Sequence, residues 1–211
     1  MKDLIVLVAD VHAEWMLKTL LNDRRKALGL RDIDFEVIRH PRRDPGVFKE
    51  APEFLRPYLR SCRYALVVFD REGSGREELD ADGLARELQK RLDRGGWKGR
   101  AAVIVLDPEL EAWVWSNSPE VSRVLGVSPE RLRALLQPFL GEARGKPDRP
   151  KEALQAVLRH SGRPLSSSIF RQLAERVSLD RCRDPAFRRL RTKLQEWFSP
   201  QGGQGPRQAT R

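Results

Sequence analysis

Three segments of the chain are continuous runs of apolar residues, which is the pattern of a strand covered on both faces of a sheet. These runs are residues 3–9 (DLIVLVA), 64–69 (YALVVF) and 101–106 (AAVIVL). A fourth segment, residues 33–37, alternates apolar and polar positions and is also predicted to be a strand. The pattern therefore predicts four short strands.

The segments between these strands carry apolar residues at helical spacing. They are residues 12–28, 45–60 and 82–94, and Pro52 and Pro57 are expected to break the second of them into pieces. Strands that alternate with helices imply βαβ crossovers, which bring parallel strands into one sheet. The predicted fold class is therefore α/β, with a mainly parallel four-stranded sheet and flanking helices.

The rest of the chain is predicted to be helical. After Asp107 the apolar spacing stays helical to about residue 198, and Trp113 and Trp115 fall on opposite sides of a helix. We expect one of these indoles in the core and the other at an interface. Composition divides the chain into an α/β domain at residues 1–140, a basic helical lobe at 141–198 and a disordered tail at 199–211.

The basic charge is concentrated in the last third of the chain. Residues 1–140 hold 24 Lys and Arg against 23 Asp and Glu, whereas residues 141–211 hold 16 against 7. Such asymmetry favours a polyanion partner or an acidic protein partner, and of these we predict nucleic acid, most simply DNA. The candidate backbone-binding face is a basic cluster on the last predicted helix, unless that cluster is an ordinary solvated helix face: Arg188, Arg189, Arg191 and Lys193.

Several classes of protein are excluded by composition. No run of eighteen apolar residues exists, so we expect no membrane-spanning segment. The first apolar run is short and is followed by Asp10 rather than by a signal-peptide cleavage site, so a cytoplasmic location is predicted. Cys62 and Cys182 have no metal-ligand spacing and are expected to be free thiols.

Three of the predicted strands each run into an aspartate, at Asp10, Asp70 and Asp107. Because ligands of open parallel sheets bind beyond the carboxyl ends of the strands, these side chains are expected to converge there. Further carboxylates follow closely in sequence: Glu14, Glu72, Glu109 and Glu111. An aspartate after a strand is also a common helix N-cap, and Asp107-Pro108-Glu109 fits that structural alternative.

Clustered carboxylates raise one another's pKa, and a divalent cation removes that cost. Mg²⁺ or Mn²⁺ takes oxygen ligands and can polarise a phosphoryl group. The predicted catalytic residues are therefore Asp10, Glu14, Asp70, Glu72, Glu109 and Glu111.

The order of these motifs resembles the Toprim-like families. Asp10-Val11-His12-Ala13-Glu14 stands where those families have a Glu-Gly-x-x-Glu motif, and Asp70-Arg71-Glu72 stands where they have Asp-x-Asp. The segments DREGSG (70–75), DPELEAWVWS (107–116), RPKEAL (149–154) and LAERVSLDRC (173–182) together resemble the small Toprim-like subunit of methylation-associated defence systems. The resemblance spans about residues 3–198.

The resemblance implies a Toprim-like component of bacterial antiviral defence, a candidate metal-dependent nuclease that works with other defence subunits. Asp10, Glu14, Asp70 and Glu72 would hold Mg²⁺ or Mn²⁺, with Glu109 and Glu111 in support. The chain departs from the motif at three positions, with Asp10 for Glu, Val11 for Gly and Glu72 for Asp. The alternative is therefore a non-catalytic Toprim-like scaffold or sensor subunit that binds DNA or partner proteins.

A phosphate-receiver domain of flavodoxin-like fold would also place aspartates after the first and third strands. It would need a lysine at the end of a late strand, where this chain has Asp107. This third interpretation is the least favoured.

Overall fold

The sheet contains four parallel strands. The computed structural model describes residues 1–116, 118–141 and 146–200, so most of the tail predicted from residue 199 and part of the loop predicted at 141–150 lie outside the described residues. The strands are β1 (Lys2–Val8), β2 (Phe35–Arg39), β3 (Cys62–Asp70) and β4 (Ala101–Leu106), in the order β2-β1-β3-β4. Each neighbouring pair is parallel, which confirms the predicted α/β class.

The second strand begins two residues later than predicted. The Asp34 carbonyl oxygen already accepts hydrogen bonds from the amides of Asp3 and Leu4, but the regular ladder begins with Phe35 opposite Leu4. Ile33 still packs against the core, and this contact explains the apolar position that the sequence pattern included.

Helices cover one face of the sheet as predicted. The segment predicted at residues 45–60 is in two pieces as expected at Pro57, because a helix that ends at Leu55 is followed by a 3-10 helix, Arg56–Tyr58, but it is not broken at Pro52. That face carries α3 (Arg43–Leu55) and α4 (Ala81–Leu92), which enclose a core around Val67, Phe69 and Trp97. Pro52 lies inside α3 without ending it. The carbonyl of Phe48, four residues before Pro52, instead accepts a hydrogen bond of 2.8 Å from Arg91 Nη1. This partner in α4 replaces the amide that proline lacks.

The opposite face carries a second layer of helices, which pack on the sheet or on one another. They are α1 (Val11–Asp23), the short α2 (Arg25–Leu28), α5 (Glu120–Leu125), α6 (Pro129–Leu136), α7 (Pro150–Ser161), α8 (Ser167–Arg176) and α9 (Pro185–Phe198). Phe170, Leu190 and Phe198 share one continuous core with Val6 and Val68 of the sheet. The division at residues 140 and 141 stays a prediction, but the basic helices are packed into this core. No helix in the described ranges is long and apolar enough to cross a membrane.

Trp113 and Trp115 are both 5% exposed, so the expectation that one of them lies at an interface is wrong. The segment is a short 3-10 turn, Leu110–Trp113, rather than the start of a long helix. Trp113 Nε1 donates to Asp184 Oδ1 at 3.0 Å, and Trp115 Nε1 donates to the Pro150 carbonyl at 3.1 Å. Both indoles therefore join this segment to the C-terminal helices.

Asp184 should be a major contributor to stability. Its carboxylate also caps α9 through the amides of Ala186 and Phe187 and lies 3.0 Å from Lys146 Nζ. We expect Asp184→Ala to lower the free energy of unfolding by roughly 3 kcal/mol, because several buried donors lose their partner. Asp180→Ala is the control, since Asp180 is exposed and pairs only with Arg191 among the described residues. Equal urea midpoints for the two variants would contradict the assignment.

Candidate metal centre

Three carboxylates meet at the carboxyl edge of the sheet. Asp70 is the last residue of β3 and lies opposite Leu106 at the end of β4, while Glu109 and Glu111 follow β4 directly. One oxygen from each of Asp70, Glu109 and Glu111 lies within 4.8 Å of the other two. Glu109 is 3% exposed and Glu111 is 5% exposed, whereas Asp70 is partly buried. The group is thus compact and largely screened from water.

Burial and mutual repulsion disfavour the charged forms of these acids. Loss of solvent raises the pKa of Asp70 well above its usual value, and the charges of Asp44, Glu111 and Asp10 raise it further. Burial, followed by the charge of Glu109, raises the pKa of Glu111 to about 7. Burial also raises the pKa of Glu109. A cation bound among the three would relieve this cost.

Lys151 contacts one of the three carboxylates, and it was not among the residues predicted to act there. Its backbone amide, near the start of α7, donates to Glu109 Oε1 at 3.0 Å, and its Nζ lies 3.3 Å from Glu109 Oε2. Burial opposes the charge of Lys151, but Glu109, Glu111 and Asp70 outweigh this effect and raise its pKa. Lys151 donates no hydrogen bond to the Glu111 carboxylate, and neither does any other described residue apart from the backbone of Glu111 itself.

Asp44 is a second residue that sequence reasoning missed. Its Oδ1 accepts a hydrogen bond of 2.8 Å from the amide of Asp70. Burial raises the pKa of Asp44, and the nearby charge of Asp10 adds to the shift. The available signal was Asp44-Pro45 shortly after β2, because the carboxyl end of that strand lies at the same edge of the sheet.

Asp10 lies at the border of the group and acts as a helix N-cap, which is the structural alternative that the sequence left open for an aspartate after a strand. It is the N-cap of α1, with Oδ1 accepting from the amide of Ala13 at 2.8 Å. Its other oxygen lies 3.9 Å from His12 Nδ1. The imidazole of His12 stacks on Phe170 with ring centroids 4.6 Å apart. Its pKa is lowered mainly by burial, and the charges of Lys151 and Arg43 contribute.

Glu14 and Glu72 lie outside the group of three. Glu14 pairs with Lys18 at 2.5 Å and with Arg39 at 2.6 Å. Glu72 is exposed, although its charge acts on Glu109. Asp107 was expected to converge with the other acids, but its carboxylate pairs with Arg71 at 2.7 Å instead. Of the four predicted metal ligands, only Asp70 belongs to the compact group.

The basic cluster on α9 is largely engaged within the chain. Arg189 lies 3.3 Å from Asp82, Arg191 lies 2.7 Å from Asp180, and Lys193 pairs with Glu196. Arg188 has no ion pair with any described residue. Nucleic-acid binding by this face stays a prediction.

Comparison with known proteins gives no match among family models, curated proteins or solved structures. The functional assignment therefore rests on the side chains at the edge of the sheet.

Ionisation of Glu111 should make the metal-free protein less stable as pH rises. Because its folded-state pKa of about 7 lies above the usual 4.5, the folded state holds a proton that the unfolded state releases between these values. The free energy of unfolding in EDTA should fall across this window. Glu111→Gln should reduce the fall and stabilise the protein at pH 8 by roughly 2–3 kcal/mol.

Urea unfolding at several pH values measures this effect. Glu130→Gln serves as the control, because the Glu130 side chain is exposed and lies on α6, away from the acidic group. Parallel pH profiles for wild type and Glu111→Gln would show that the Glu111 pKa is not raised.

Proposed function

We propose that this chain binds a divalent metal, Mg²⁺ or Mn²⁺, at Asp70, Glu109 and Glu111 and acts on phosphodiester groups of nucleic acid. The observation that carries the proposal is the compact group of three carboxylates at the carboxyl edge of a parallel sheet. This edge is where open α/β sheets bind their ligands. Buried acids with raised pKa values in such a place are typical of functional sites.

The residues present fit a hard cation. Mg²⁺ and Mn²⁺ prefer carboxylate oxygens and usually retain several waters. A bound ion of this kind would polarise a phosphoryl oxygen and make bound water more acidic. Asp70 and Glu111 offer carboxylates without a cationic partner among the described residues, whereas Glu109 already contacts Lys151. Metal binding would therefore draw first on Asp70 and Glu111.

The chain's own groups would orient the substrate. Lys151 Nζ, with its side chain 53% exposed, can contact a phosphate oxygen while it remains beside Glu109. Asp44 holds the end of β3, where Asp70 lies, by accepting a hydrogen bond from the amide of Asp70. His12 stays near Asp10 and is held against Phe170.

The cellular setting follows from the motifs. We infer a Toprim-like component of a bacterial methylation-associated defence system, acting in the cytoplasm on nucleic acid, most simply DNA, with other subunits of that system. The motif order and the basic excess in the last third of the chain support this assignment.

The second candidate function is a non-catalytic scaffold or sensor subunit. One observation favours it: Glu14, a predicted metal ligand, is neutralised by Lys18 and Arg39. A carboxylate held by two cations is a weaker metal ligand, and a two-metal site would lack it.

Metal should raise the melting temperature of the wild type by binding the native state. At a metal concentration of about 100 Kd the stabilisation is about 2.7 kcal/mol. Asp70→Asn and Glu111→Gln should abolish this shift, because each removes a charged ligand. Thermal melts with MgCl₂ or MnCl₂ measure it.

Asp107→Asn is the matched control, since Asp107 follows the neighbouring strand but pairs with Arg71. It should respond to metal as the wild type does. If Glu14→Gln or Glu72→Gln abolishes the shift while Glu111→Gln retains it, the ligands are those of the sequence motif instead. If all variants respond like the wild type, the acidic group is not a metal site.

A DNA-cleavage assay distinguishes the nuclease function from the non-catalytic scaffold function. We expect weak or no cleavage of DNA by the isolated chain, and activity once partner subunits are supplied. In that complex, Asp70→Ala should abolish protection of cells against phage without loss of folding or assembly. Full protection by Asp70→Ala would favour the scaffold function.

A further inference from the structure

Arg43, the first residue of α3, has an unusual backbone conformation. Its φ is 49°, and it is the one residue other than glycine with a positive φ in the described ranges. This left-handed region is unfavourable for residues that carry a Cβ, and it persists only where the surroundings fix it.

The junction between β2 and α3 supplies that constraint. The amide of Arg42 donates to His40 Nδ1 at 3.2 Å, and the amide of Arg43 donates to the His40 carbonyl at 3.1 Å. His40 is buried, and Gly46 leaves room for its ring: a Cβ on Gly46 would lie 2.2 Å from His40 Nδ1. The direction of the Arg43 side chain is therefore set by a packed junction.

This junction lies beside the acidic group. Arg43 precedes Asp44, whose Oδ1 is 2.8 Å from the Asp70 amide nitrogen. The charge of Arg43 also acts on His12, which stacks on Phe170. Arg43 thus belongs to the border of the candidate metal centre.

The guanidinium of Arg43 is exposed and has no ion pair or hydrogen bond with any described residue. The other cations at this border each have a carboxylate: Arg39 has Glu14, Arg42 has Glu50, Arg71 has Asp107 and Lys151 has Glu109. Arg43 therefore differs from these cations in having no carboxylate partner among the described residues when an anion from outside the chain approaches.

We propose that Arg43 binds a phosphate group of the nucleic-acid strand whose adjacent phosphate lies at the acidic group. The proposal rests on the proposed function and adds the residue that recognises the strand. A guanidinium presents paired donors that match two phosphate oxygens. It also offsets the repulsion between the carboxylates and an incoming phosphate, which would otherwise oppose binding.

Fluorescence anisotropy with a labelled single-stranded DNA of about 16 nucleotides measures the contact, with Ca²⁺ in place of Mg²⁺ to limit turnover. Arg43→Gln should weaken binding about tenfold, as expected for one charge-assisted contact. The slope of log affinity against log salt should fall by about 0.7. Arg42→Gln is the neighbouring control and should bind as the wild type does, because Arg42 pairs with Glu50.

The Arg43→Gly variant distinguishes a loss of DNA binding from a loss of folding stability. Glycine adopts the observed φ freely, so this variant should melt at or above the wild-type temperature while it binds DNA as weakly as Arg43→Gln. Equal DNA binding by wild type, Arg43→Gln and Arg43→Gly would overturn the proposal, as would an equal loss in Arg42→Gln.

Calorimetric titration of the DNA-free protein with Mn²⁺ distinguishes this inference from the proposed function. Wild type and Arg43→Gln should bind Mn²⁺ equally. If the wild type binds no metal, the proposed function fails and this inference fails with it. If the wild type binds metal and Arg43→Gln binds DNA normally, only the assignment of Arg43 is overturned.

Discussion

The carboxylates of Asp70, Glu109 and Glu111 repel one another within 4.8 Å, in a place where little water screens them. The structure meets this cost in part by retaining protons, since the pKa of Glu111 is raised to about 7. It also places the Lys151 ammonium 3.3 Å from Glu109. A divalent cation would neutralise the group more fully than the retained proton or the Lys151 ammonium, because it opposes several negative charges at once.

Residues from distant parts of the chain converge on this group. Lys151 comes from the start of α7, and Asp44 comes from the start of α3 on the other face of the sheet. The helices that follow residue 150 therefore supply both core and site. Asp184 contributes to this arrangement, because it holds the Trp113 segment, α9 and Lys146 together. Loss of that contact would disturb the strand-to-helix connection that presents Glu109 and Glu111.

Acidic and basic residues have different environments in this protein. The acids that define the site are buried or partly buried at one edge of the sheet, whereas many basic side chains are exposed and paired with surface carboxylates. A net charge of +10 therefore does not by itself identify a binding face. The useful distinction is whether a cation near the acidic group already has a partner. By that criterion Arg43 differs from Arg39, Arg42, Arg71 and Lys151.

The sequence by itself determined the parallel four-stranded sheet, because apolar β-branched runs alternating with helical spacing have few other solutions. It also indicated that Asp70 and acids after the fourth strand share one edge. Only the tertiary structure decided which acids meet, since Glu14 turns to Lys18 and Arg39 while Glu111 turns inward. The sequence did not reveal the roles of Lys151 and Asp44 for the same reason. Their contacts with Glu109 and Asp70 join residues that are 42 and 26 positions apart, and local sequence spacing does not indicate such distant neighbours.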